Sequence, residues 1–534
     1  LVYQLSSFTD AKNQTTNYIY GDAAKVSTSK LLTKIQLPKG NYIENQYDAN
    51  HRLAKSESGV NGVPTAQTSV SVGAKYGSTI STESTVTIDR GSQSSSYQYT
   101  YDANNVVTKM TGNQGLSVSS TYGSSKHPQL PTSLQSNSTN VSYVEYDDNG
   151  NITSLTVTGD GTLTTTMTYD AMNNLTSVTD PKGNQTTYTY DSKGNLTGVS
   201  APEGVTSSIT VNSKGLPTEI TNAMGVKTQF EYNTYGNLTK TTLPALSLSS
   251  SAAYDKASRM TSATDALGRV ISFTYDNNDL LTSTTDADNN KTSFEYDKND
   301  NLTSITNAKG GVTSMSYDNA TDWLTSVSFA GATKQYSYNS DGTLDYFTKP
   351  DGAIVEYSYD DLGRLTNDDV NDYSYDNKLR LTSVSDNGKS ISFSYDGFNR
   401  ITGTSGSGHN NTYSYDKNGN CTSVNNTTYS YDRLNRLTSV SFGGKTITYS
   451  YRKDSKLSSV SYPNGMTTSY EYDAVGRLTD KTTKLKNGTV VAGYTFTLDK
   501  VGNIVKQTAT EPYSEMKLTN EDISYTYNSG NRIT

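Results

Sequence analysis

Four residues of this chain have side chains that commonly do catalytic or metal-binding chemistry: Cys421, His51, His127 and His409. A thiolate beside an imidazole would form a nucleophilic pair, and cysteine and histidine together bind zinc. The three histidines are far apart in sequence, and none has metal-ligand spacing to the cysteine. Cys421 follows Asn420 as Leu302 follows Asn301, which favours a buried apolar residue over a nucleophile. We therefore predict no catalytic residue and no enzymatic activity.

Aspartate-rich segments raise the separate question of a metal. The segment Asp286–Asn290 resembles a calcium loop, but it lacks the glycine and the bidentate glutamate of the EF-hand pattern. Turn formation explains the same residues, because Asp and Asn side chains accept hydrogen bonds from turn amides. The sequence predicts no metal and no cofactor.

Composition narrows the class of protein. The 534 residues carry 44 Lys and Arg against 52 Asp and Glu, a net charge of −8, so no basic surface favours nucleic acid. No apolar run is long enough for a membrane span, and Leu1 has neither an initiator Met nor a signal peptide before it, so we expect an excised piece of a longer protein. A single cysteine is compatible with a secreted or bacterial surface protein.

A repeat organises the chain. Segments such as Tyr188–Thr197 and Tyr470–Thr479 share the pattern Tyr-x-Tyr-Asp-x-x-Gly-Asn/Arg-Leu-Thr. Their second tyrosine recurs mostly every 21 residues, and two intervals are shortened to 16. This register predicts the structural positions of the repeat, which are Tyr169, Tyr190, Tyr232, Tyr254, Tyr275, Tyr296, Tyr317, Tyr338, Tyr359, Tyr375, Tyr395, Tyr415, Tyr431, Tyr451 and Tyr472, with Val211 in the same slot.

Each unit reads as one β-hairpin. Thr, Ser, Val and Tyr alternate over four to eight residues, as in Gln185–Tyr190, which is the strand pattern. A turn that we call the tyrosine turn follows the second tyrosine (Asp191–Asn195), and a connecting turn joins units (Asp180–Asn184). Leu302 and Ile305 are three residues apart, so the second strand has either a bulge or cover on both faces.

The register divides the chain into irregular repeats (1–165), a regular array of 20–21-residue hairpins (166–480) and divergent terminal repeats (481–534). About 30 strands at about 4.8 Å would give a strip roughly 140 Å wide, which twist prevents from lying flat. If the strip closed once, its radius would be about 23 Å, too wide for side chains to fill. The fold class predicted is all-β, a long antiparallel hairpin meander wound as a spiral strip into a hollow shell.

These motifs resemble the Rhs or YD-repeat family, which includes C subunits of bacterial Tc toxins, contact-dependent toxins, wall-associated proteins and teneurins. The resemblance implies a shell that encloses a C-terminal toxin domain, absent from this chain, with a second shell or plug subunit as a further partner. Family members usually end the shell with a self-cleaving pair of Asp-Pro-x-Gly segments. The single such segment here begins at Asp180, inside an ordinary repeat turn, so that role is not carried over to it.

The alternative to a toxin shell is a surface adhesin that binds glycans or a neighbouring cell. Exposed tyrosines could stack on sugar rings, but packing between strands explains tyrosines at a fixed slot better. Sugar binding would be expected from tyrosines outside that slot.

Overall fold

The computed structural model describes most of the chain: residues 6–10, 14–21, 31–37, 41–47, 53–60, 63–72, 83–89, 94–102, 106–137, 140–339, 342–406, 408, 410–511, 521–528 and 531–533. Within these ranges the fold is all-β. The only helical elements described are three 3₁₀ turns at Asn113–Gly115, Pro202–Gly204 and Pro244–Leu246. The prediction of a hairpin strip almost without helix is confirmed.

The strands follow one another along the chain. The early strands are β1 (Ser7–Thr9), β2 (Thr15–Tyr20), β3 (Leu32–Gln36), β4 (Asn41–Tyr47), β5 (Leu53–Val60), β6 (Val63–Val72), β7 (Glu83–Asp89), β8 (Ser94–Tyr101), β9 (Val107–Gly112), β10 (Ser117–Thr121), β11 (Ser133–Ser136), β12 (Asn140–Tyr146), β13 (Ile152–Thr158), β14 (Thr162–Tyr169), β15 (Leu175–Thr179) and β16 (Gln185–Tyr190). The middle strands are β17 (Leu196–Ala201), β18 (Val205–Val211), β19 (Pro217–Thr221), β20 (Lys227–Tyr232), β21 (Leu238–Leu243), β22 (Leu248–Tyr254), β23 (Met260–Thr264), β24 (Val270–Tyr275), β25 (Leu281–Thr285), β26 (Lys291–Tyr296), β27 (Leu302–Thr306), β28 (Val312–Tyr317), β29 (Leu324–Phe329), β30 (Ala332–Tyr338), β31 (Leu344–Thr348) and β32 (Ile354–Glu356). The remaining strands are β33 (Ser358–Tyr359), β34 (Leu365–Asn367), β35 (Asp372–Tyr375), β36 (Leu381–Asp386), β37 (Lys389–Tyr395), β38 (Ile401–Ser405), β39 (Asn411–Tyr415), β40 (Cys421–Val424), β41 (Thr427–Tyr431), β42 (Leu437–Phe442), β43 (Lys445–Tyr451), β44 (Leu457–Ser461), β45 (Thr467–Tyr472), β46 (Leu478–Lys484), β47 (Val490–Leu498), β48 (Ile504–Thr510) and β49 (Glu521–Ser524).

Neighbouring strands in sequence are neighbours in the sheet. Every strand from β1 to β32 pairs antiparallel with the next, and the same holds from β33 to β49. Between β32 and β33 lies Tyr357, whose amide still donates to the main-chain oxygen of Asp345 at 2.8 Å. The strip therefore continues across this interruption as a single meander.

The three-residue spacing of Leu302 and Ile305 is explained by a bulge. Tyr296 pairs with Leu302 and Glu295 pairs with Ser304, so Thr303 is the extra residue on its strand. Phe294 pairs with Ile305. Because the bulge restores the alternation, Leu302 and Ile305 face the same side of the sheet as the two aromatic rings. The same register shift recurs beside the tyrosine in hairpin after hairpin, for example before Tyr190 and Tyr472.

The two 16-residue intervals lose residues from the connecting side of the hairpin only. In the second of them the tyrosine turn 416–420 keeps its full length, whereas β40 has four residues and the connecting turn is reduced to Asn425 and Asn426. Both the connecting turn and the adjoining strand ends are therefore shortened.

The strip winds back onto itself. Turns separated by 234 to 281 residues are in contact, as between Lys182 and Asp416 and between Asn41 and Asp322. Because β32 and β33 are two parts of one strand, 23 strands separate the turn at Asp180 (after β15) from that at Asp416 (after β39), and 25 separate the turn at Asn41 (after β3) from that at Asp322 (after β28). One winding thus holds about 24 strands. At about 4.8 Å each, this gives a circumference of about 115 Å and a radius of about 18 Å. The winding is tighter than a single closure of 30 strands.

The wound strip has little dry interior. Its accessible surface is 30257 Å², whereas a compact protein of 57.9 kDa has about 19,000 Å². Among the described residues, the buried large apolar side chains are Tyr42, Val144, Leu248 and Val460. Most strand residues are half-buried, so both faces of the sheet contribute surface. None of the helical segments described has the length and apolar character of a membrane span.

Candidate functional site: the tyrosine register and the seam

The register tyrosines tie each hairpin to the one before it. The hydroxyl of Tyr296 donates to the main-chain oxygen of Leu281 at 2.9 Å, across the intervening connecting turn. The equivalent bond, 2.6 to 2.9 Å long, is made by Tyr169, Tyr190, Tyr254, Tyr275, Tyr317, Tyr375, Tyr395, Tyr415, Tyr431, Tyr451 and Tyr472. Because the acceptor is a main-chain oxygen, this hydrogen bond can form whatever side chain the accepting residue carries.

The remaining register positions keep the same place at the strand end. Tyr232 pairs with Leu238 and Tyr359 pairs with Leu365. Tyr338 packs against Trp323, with ring centroids 5.3 Å apart. The hydroxyl bond also extends beyond the regular array, because Tyr47, Tyr122, Tyr146 and Tyr527 each donate to a main-chain oxygen of the previous hairpin.

An aspartate organises each tyrosine turn. In the turn 191–195, one carboxylate oxygen of Asp191 accepts hydrogen bonds from the amides of Lys193 and Asn195, and the other accepts from Nδ2 of Asn195 at 2.9 Å. Gly194 has a φ of 82°, which allows the chain to reverse. The same position in other turns is filled by Asn, Asp, Ser and even Leu379 at positive φ, because the hydrogen bonds fix the turn.

Successive tyrosine turns are linked side chain to side chain. Asn420 donates from Nδ2 to Oδ1 of Asn435 in the next turn at 2.7 Å, and Asn301 donates to Oδ1 of Asp322 at 3.0 Å. The fifth residue of one turn thus reaches the fourth residue of the next, or its equivalent. This row of polar contacts runs along one edge of the strip.

Arginine at the fifth turn position makes a stronger link than asparagine. Nε of Arg400 lies 2.6 Å from Oδ2 of Asp396, and Nη1 donates to the main-chain oxygen of Asp416 at 2.9 Å. The guanidinium carbon lies 4.7 Å from the ring centroid of Tyr415. The same contact with the next register tyrosine is made by Arg259, Arg364, Arg380 and Arg436. The sequence predicts that these tyrosines hold neighbouring hairpins by offset ring packing and hydroxyl hydrogen bonds; the hydroxyl bonds are found, but none of the four aromatic pairs described joins two register tyrosines.

We expect Arg400→Ala to lower the free energy of unfolding by about 2 kcal/mol, because the Asp396 carboxylate loses a charged donor and Tyr415 loses its cation. Arg400→Asn should cost about half as much, because asparagine at this position bonds the turn aspartate elsewhere, as Asn420 does to Asp416 at 3.0 Å. Urea unfolding of both variants measures the difference. Equal losses would show that the contacts with the next hairpin contribute nothing.

The turn aspartates should make the protein acid-sensitive. Hydrogen bonds from the Asn195 side chain, and then from the amides of Asn195 and Lys193, lower the pKa of Asp191 below its ordinary value of 3.8. A carboxyl with a lowered pKa in the folded state stabilises the fold above its unfolded pKa, and that stabilisation is lost as the pH falls through the folded pKa. We expect the carbon chemical shift of the Asp191 carboxyl to titrate below pH 3.8.

Asp191→Asn supplies the control for this titration. Asn212 at the same turn position accepts from the amides of Lys214 and Leu216 at 2.9 and 3.1 Å without a charge. The variant should therefore keep the turn and lose the local acid response, measured as the exchange rate of the Asn195 amide at pH 3 and pH 6. A carboxyl that titrates at or above its ordinary pKa would contradict the assignment.

The seam, by which we mean the contact between windings, joins connecting turns of the first winding to tyrosine turns of the second. Nδ2 of Asn418 donates to Oδ2 of Asp180 at 2.7 Å, and Nζ of Lys182 lies 2.9 Å from Oδ2 of Asp416. Burial alone would raise the pKa of Asp180, but hydrogen bonds from Asn184, Asn418 and the Lys182 amide outweigh it and lower the pKa. Other seam contacts join Asp10 to Asn278, Asn41 to Ala320, Asn137 to Asn377 and Arg269 to Asn531.

Two glycines allow the main chains of the two windings to approach each other. Oδ2 of Asp160 accepts from the amide of Gly397 at 2.6 Å. A Cβ atom on Gly159 would lie 2.7 Å from the carbonyl carbon of Gly397, and one on Gly397 would lie 2.4 Å from the Asp160 nitrogen. Only glycine on both sides allows the two main chains to meet at this point.

The residues first considered for chemistry take structural places. Cys421 pairs with Tyr415 as leucine does in other hairpins, its thiol donates to the Ser423 oxygen, and its own oxygen accepts from Tyr431. The ring of His127 packs against Tyr146, while His51 and His409 lie outside the described residues. Asp286 bonds the amides of its own turn. In the part of the chain that is described, no three His, Cys, Asp or Glu side chains are placed to hold a metal.

Comparison with known families agrees with this architecture. The profile of the teneurin YD-shell matches residues 203–368, 314–428 and 412–483, more than half of the chain. The chain belongs to the YD-shell family. The RHS repeat profile matches residues 146–185 and 169–206, immediately upstream. The YD pair of the family corresponds to the register tyrosine and the aspartate that organises the turn behind it.

Solved structures show the same fold at low sequence identity. The crystal structure of TcdB2-TccC3-TEV matches with a TM-score of 0.58 and 14% identity, over 97% of this chain and 34% of that one. That of TcdB2-TccC3-Cdc42 gives 0.51 and 11%, over 99% and 42%. This YD-shell chain thus spans about a third of the length of the first of these. No curated protein sequence matches it significantly.

Proposed function

We propose that this chain is part of the wall of a hollow shell that encloses a separate polypeptide, a C-terminal toxin domain of its parent protein. The observation that carries the proposal is the strip itself, which returns to its own edge after about 24 strands and leaves a centre too wide for side chains to fill. The likeness to TcdB2-TccC3 structures supports a shell fold.

Containment requires a wall rather than a catalytic group, so the proposed role is non-enzymatic. The register tyrosines and the tyrosine turns would hold hairpin to hairpin, and the seam would hold winding to winding. The proposed setting is a secreted or bacterial surface protein, with a second shell or plug subunit to close the ends.

The test is protection of the passenger. The parent shell should be co-expressed with its downstream domain, and protease digestion and toxicity should be compared with those of the free domain. A matched pair of shells sharpens the test: Gly159→Ala should open the seam, whereas Gly161→Ala, where a Cβ meets nothing within 4 Å, should not. We expect slower digestion inside the wild-type and Gly161→Ala shells than inside Gly159→Ala.

A passenger digested at the same rate with and without the shell would overturn containment. The surface adhesin would then be the remaining proposal. The described tyrosine most exposed to solvent outside the register is Tyr235, at 72%. It lies at the tip of one tyrosine turn. The seam and the wide winding favour the shell over the adhesin.

A further inference from the structure

A pocket opens at the connecting-turn edge of the second winding, on the side away from the seam. Its volume is about 620 Å³, the size of a small-ligand site. It lies between two neighbouring hairpins, and its lining residues are Gly444, Lys445, Tyr462, Pro463, Asn464, Met466, Thr468, Lys481 and Thr483. The structure thus provides a concave surface that neither the register nor the seam uses.

Tyr462 begins a connecting turn. Many of these turns begin with Asp or Asn, whose side chain accepts two turn amides, as Asn222 accepts those of Met224 and Val226, whereas others begin with Lys349 or Leu485. Tyr462 has no such acceptor, and Asn464 replaces one of the two bonds, accepting the Met466 amide at 3.1 Å. At this position Tyr462 places an aromatic ring on the connecting-turn edge, where it lines the pocket.

The pocket combines this ring with positive charge. Lys445 and Lys481 both line it, and the described lining includes no carboxylate. The chain as a whole carries a net charge of −8, so this grouping is not an average of the surface. The nearby Phe442 is 64% exposed, and Tyr462 is 36% exposed.

Polar groups complete the floor and wall. Thr468 is almost fully buried at 2% exposure, and its hydroxyl is fixed by a 2.8 Å hydrogen bond to that of Thr483. Asn464 lies at the rim, exposed to solvent. The lining therefore offers an aromatic face, amide and hydroxyl groups, and two ammonium groups.

We propose that this pocket binds an acidic carbohydrate, a chain of sugar rings that carries uronic acid carboxylates. The C–H face of a pyranose packs on an aromatic ring, sugar hydroxyls bond amides and hydroxyls, and each carboxylate pairs with a lysine. A small inorganic anion would leave the aromatic and apolar lining unused. The proposal does not rest on the shell function, since the lining residues take part neither in the register bonds nor in the seam contacts described.

Calorimetric titration with a hyaluronan tetrasaccharide, with the neutral chitotetraose as the comparison, tests the proposal. We expect measurable binding of the acidic sugar that weakens with added salt, and at least about tenfold weaker binding of the neutral one. Lys481→Gln should weaken acidic sugar binding about tenfold, whereas Lys389→Gln, on a different hairpin of the same edge, should not change it.

Tyr462→Asn separates binding from folding. Asparagine is the residue that begins the equivalent turns at Asn222 and Asn307, so the variant should keep or raise the melting temperature while it loses at least about tenfold in affinity. Absence of binding to the wild-type chain, or equal affinities for the wild type and the Tyr462→Asn and Lys481→Gln variants, would overturn the proposal.

Discussion

Replacing Tyr451 by Ala should lower the free energy of unfolding by about 3 kcal/mol. The side chain is half-buried, donates to the Leu437 oxygen at 2.8 Å and carries the Arg436 guanidinium 4.8 Å from its ring centroid. All three contributions are lost in alanine. Because each hairpin contacts mainly its two neighbours, the loss should appear locally, as faster amide exchange in β42 to β45.

Two further variants show how much of the Tyr451→Ala effect comes from the hydroxyl and whether it requires a register position. Tyr451→Phe keeps the ring and removes only the hydroxyl, so it should cost about 1 kcal/mol. Tyr235→Ala removes a ring that is 72% exposed and should change stability by less than about 0.5 kcal/mol. If Tyr235→Ala and Tyr451→Ala lower the urea midpoint equally, the register tyrosines have no special structural role.

The second large effect is expected at the seam. Gly159→Ala would place a Cβ 2.7 Å from the Gly397 carbonyl, a contact that only a shift of main chain can relieve. We expect a loss of about 2–3 kcal/mol, the upper part of the usual range for overpacking, and rapid exchange of the Gly397 amide once its bond to Asp160 breaks.

Gly161 provides the matched control two residues away. It has an ordinary backbone conformation, and a Cβ there would contact nothing within 4 Å. Gly161→Ala should therefore be neutral, or stabilising by about 0.5 kcal/mol through the unfolded state. If Gly159→Ala leaves the Gly397 amide as protected as Gly161→Ala does, the windings are not in contact at this point.

The local parts of this fold could be predicted from sequence because they repeat. The alternation in Gln185–Tyr190 and the turn residues Asp191–Asn195 are the same signal many times over, and together they predict hairpins, their order and an antiparallel strip. The bulge at Thr303 stayed one of two alternatives, because a spacing of three residues fits a bulge and also fits a strand that is covered on both faces. The division at residues 165 and 480 stays a prediction.

The contacts between windings could not be predicted. Asp180 and Asn418 belong to turns of ordinary composition, and they meet only because about 24 strands bring the strip around, a number that depends on twist and curvature rather than on any residue type. The role of Arg400 could have been recognised from the sequence, because some tyrosine turns have Arg at the fifth position where others have Asn. The pocket at Tyr462 had none, because the turns that start at Lys349 and Leu485 also begin with neither Asp nor Asn. No residue type in that turn therefore indicated a pocket.

The seam has a consequence for how such a chain can change length. In every seam contact described, a connecting turn lies against a tyrosine turn, and the two kinds of turn alternate along the chain. Insertion of a single strand would bring like turns together over the following winding, whereas insertion of a complete hairpin moves every pair on by one step and preserves the match. We therefore expect related chains to gain or lose strands in multiples of two. Partial deletions should be tolerated only within a unit, as between Tyr415 and Tyr431.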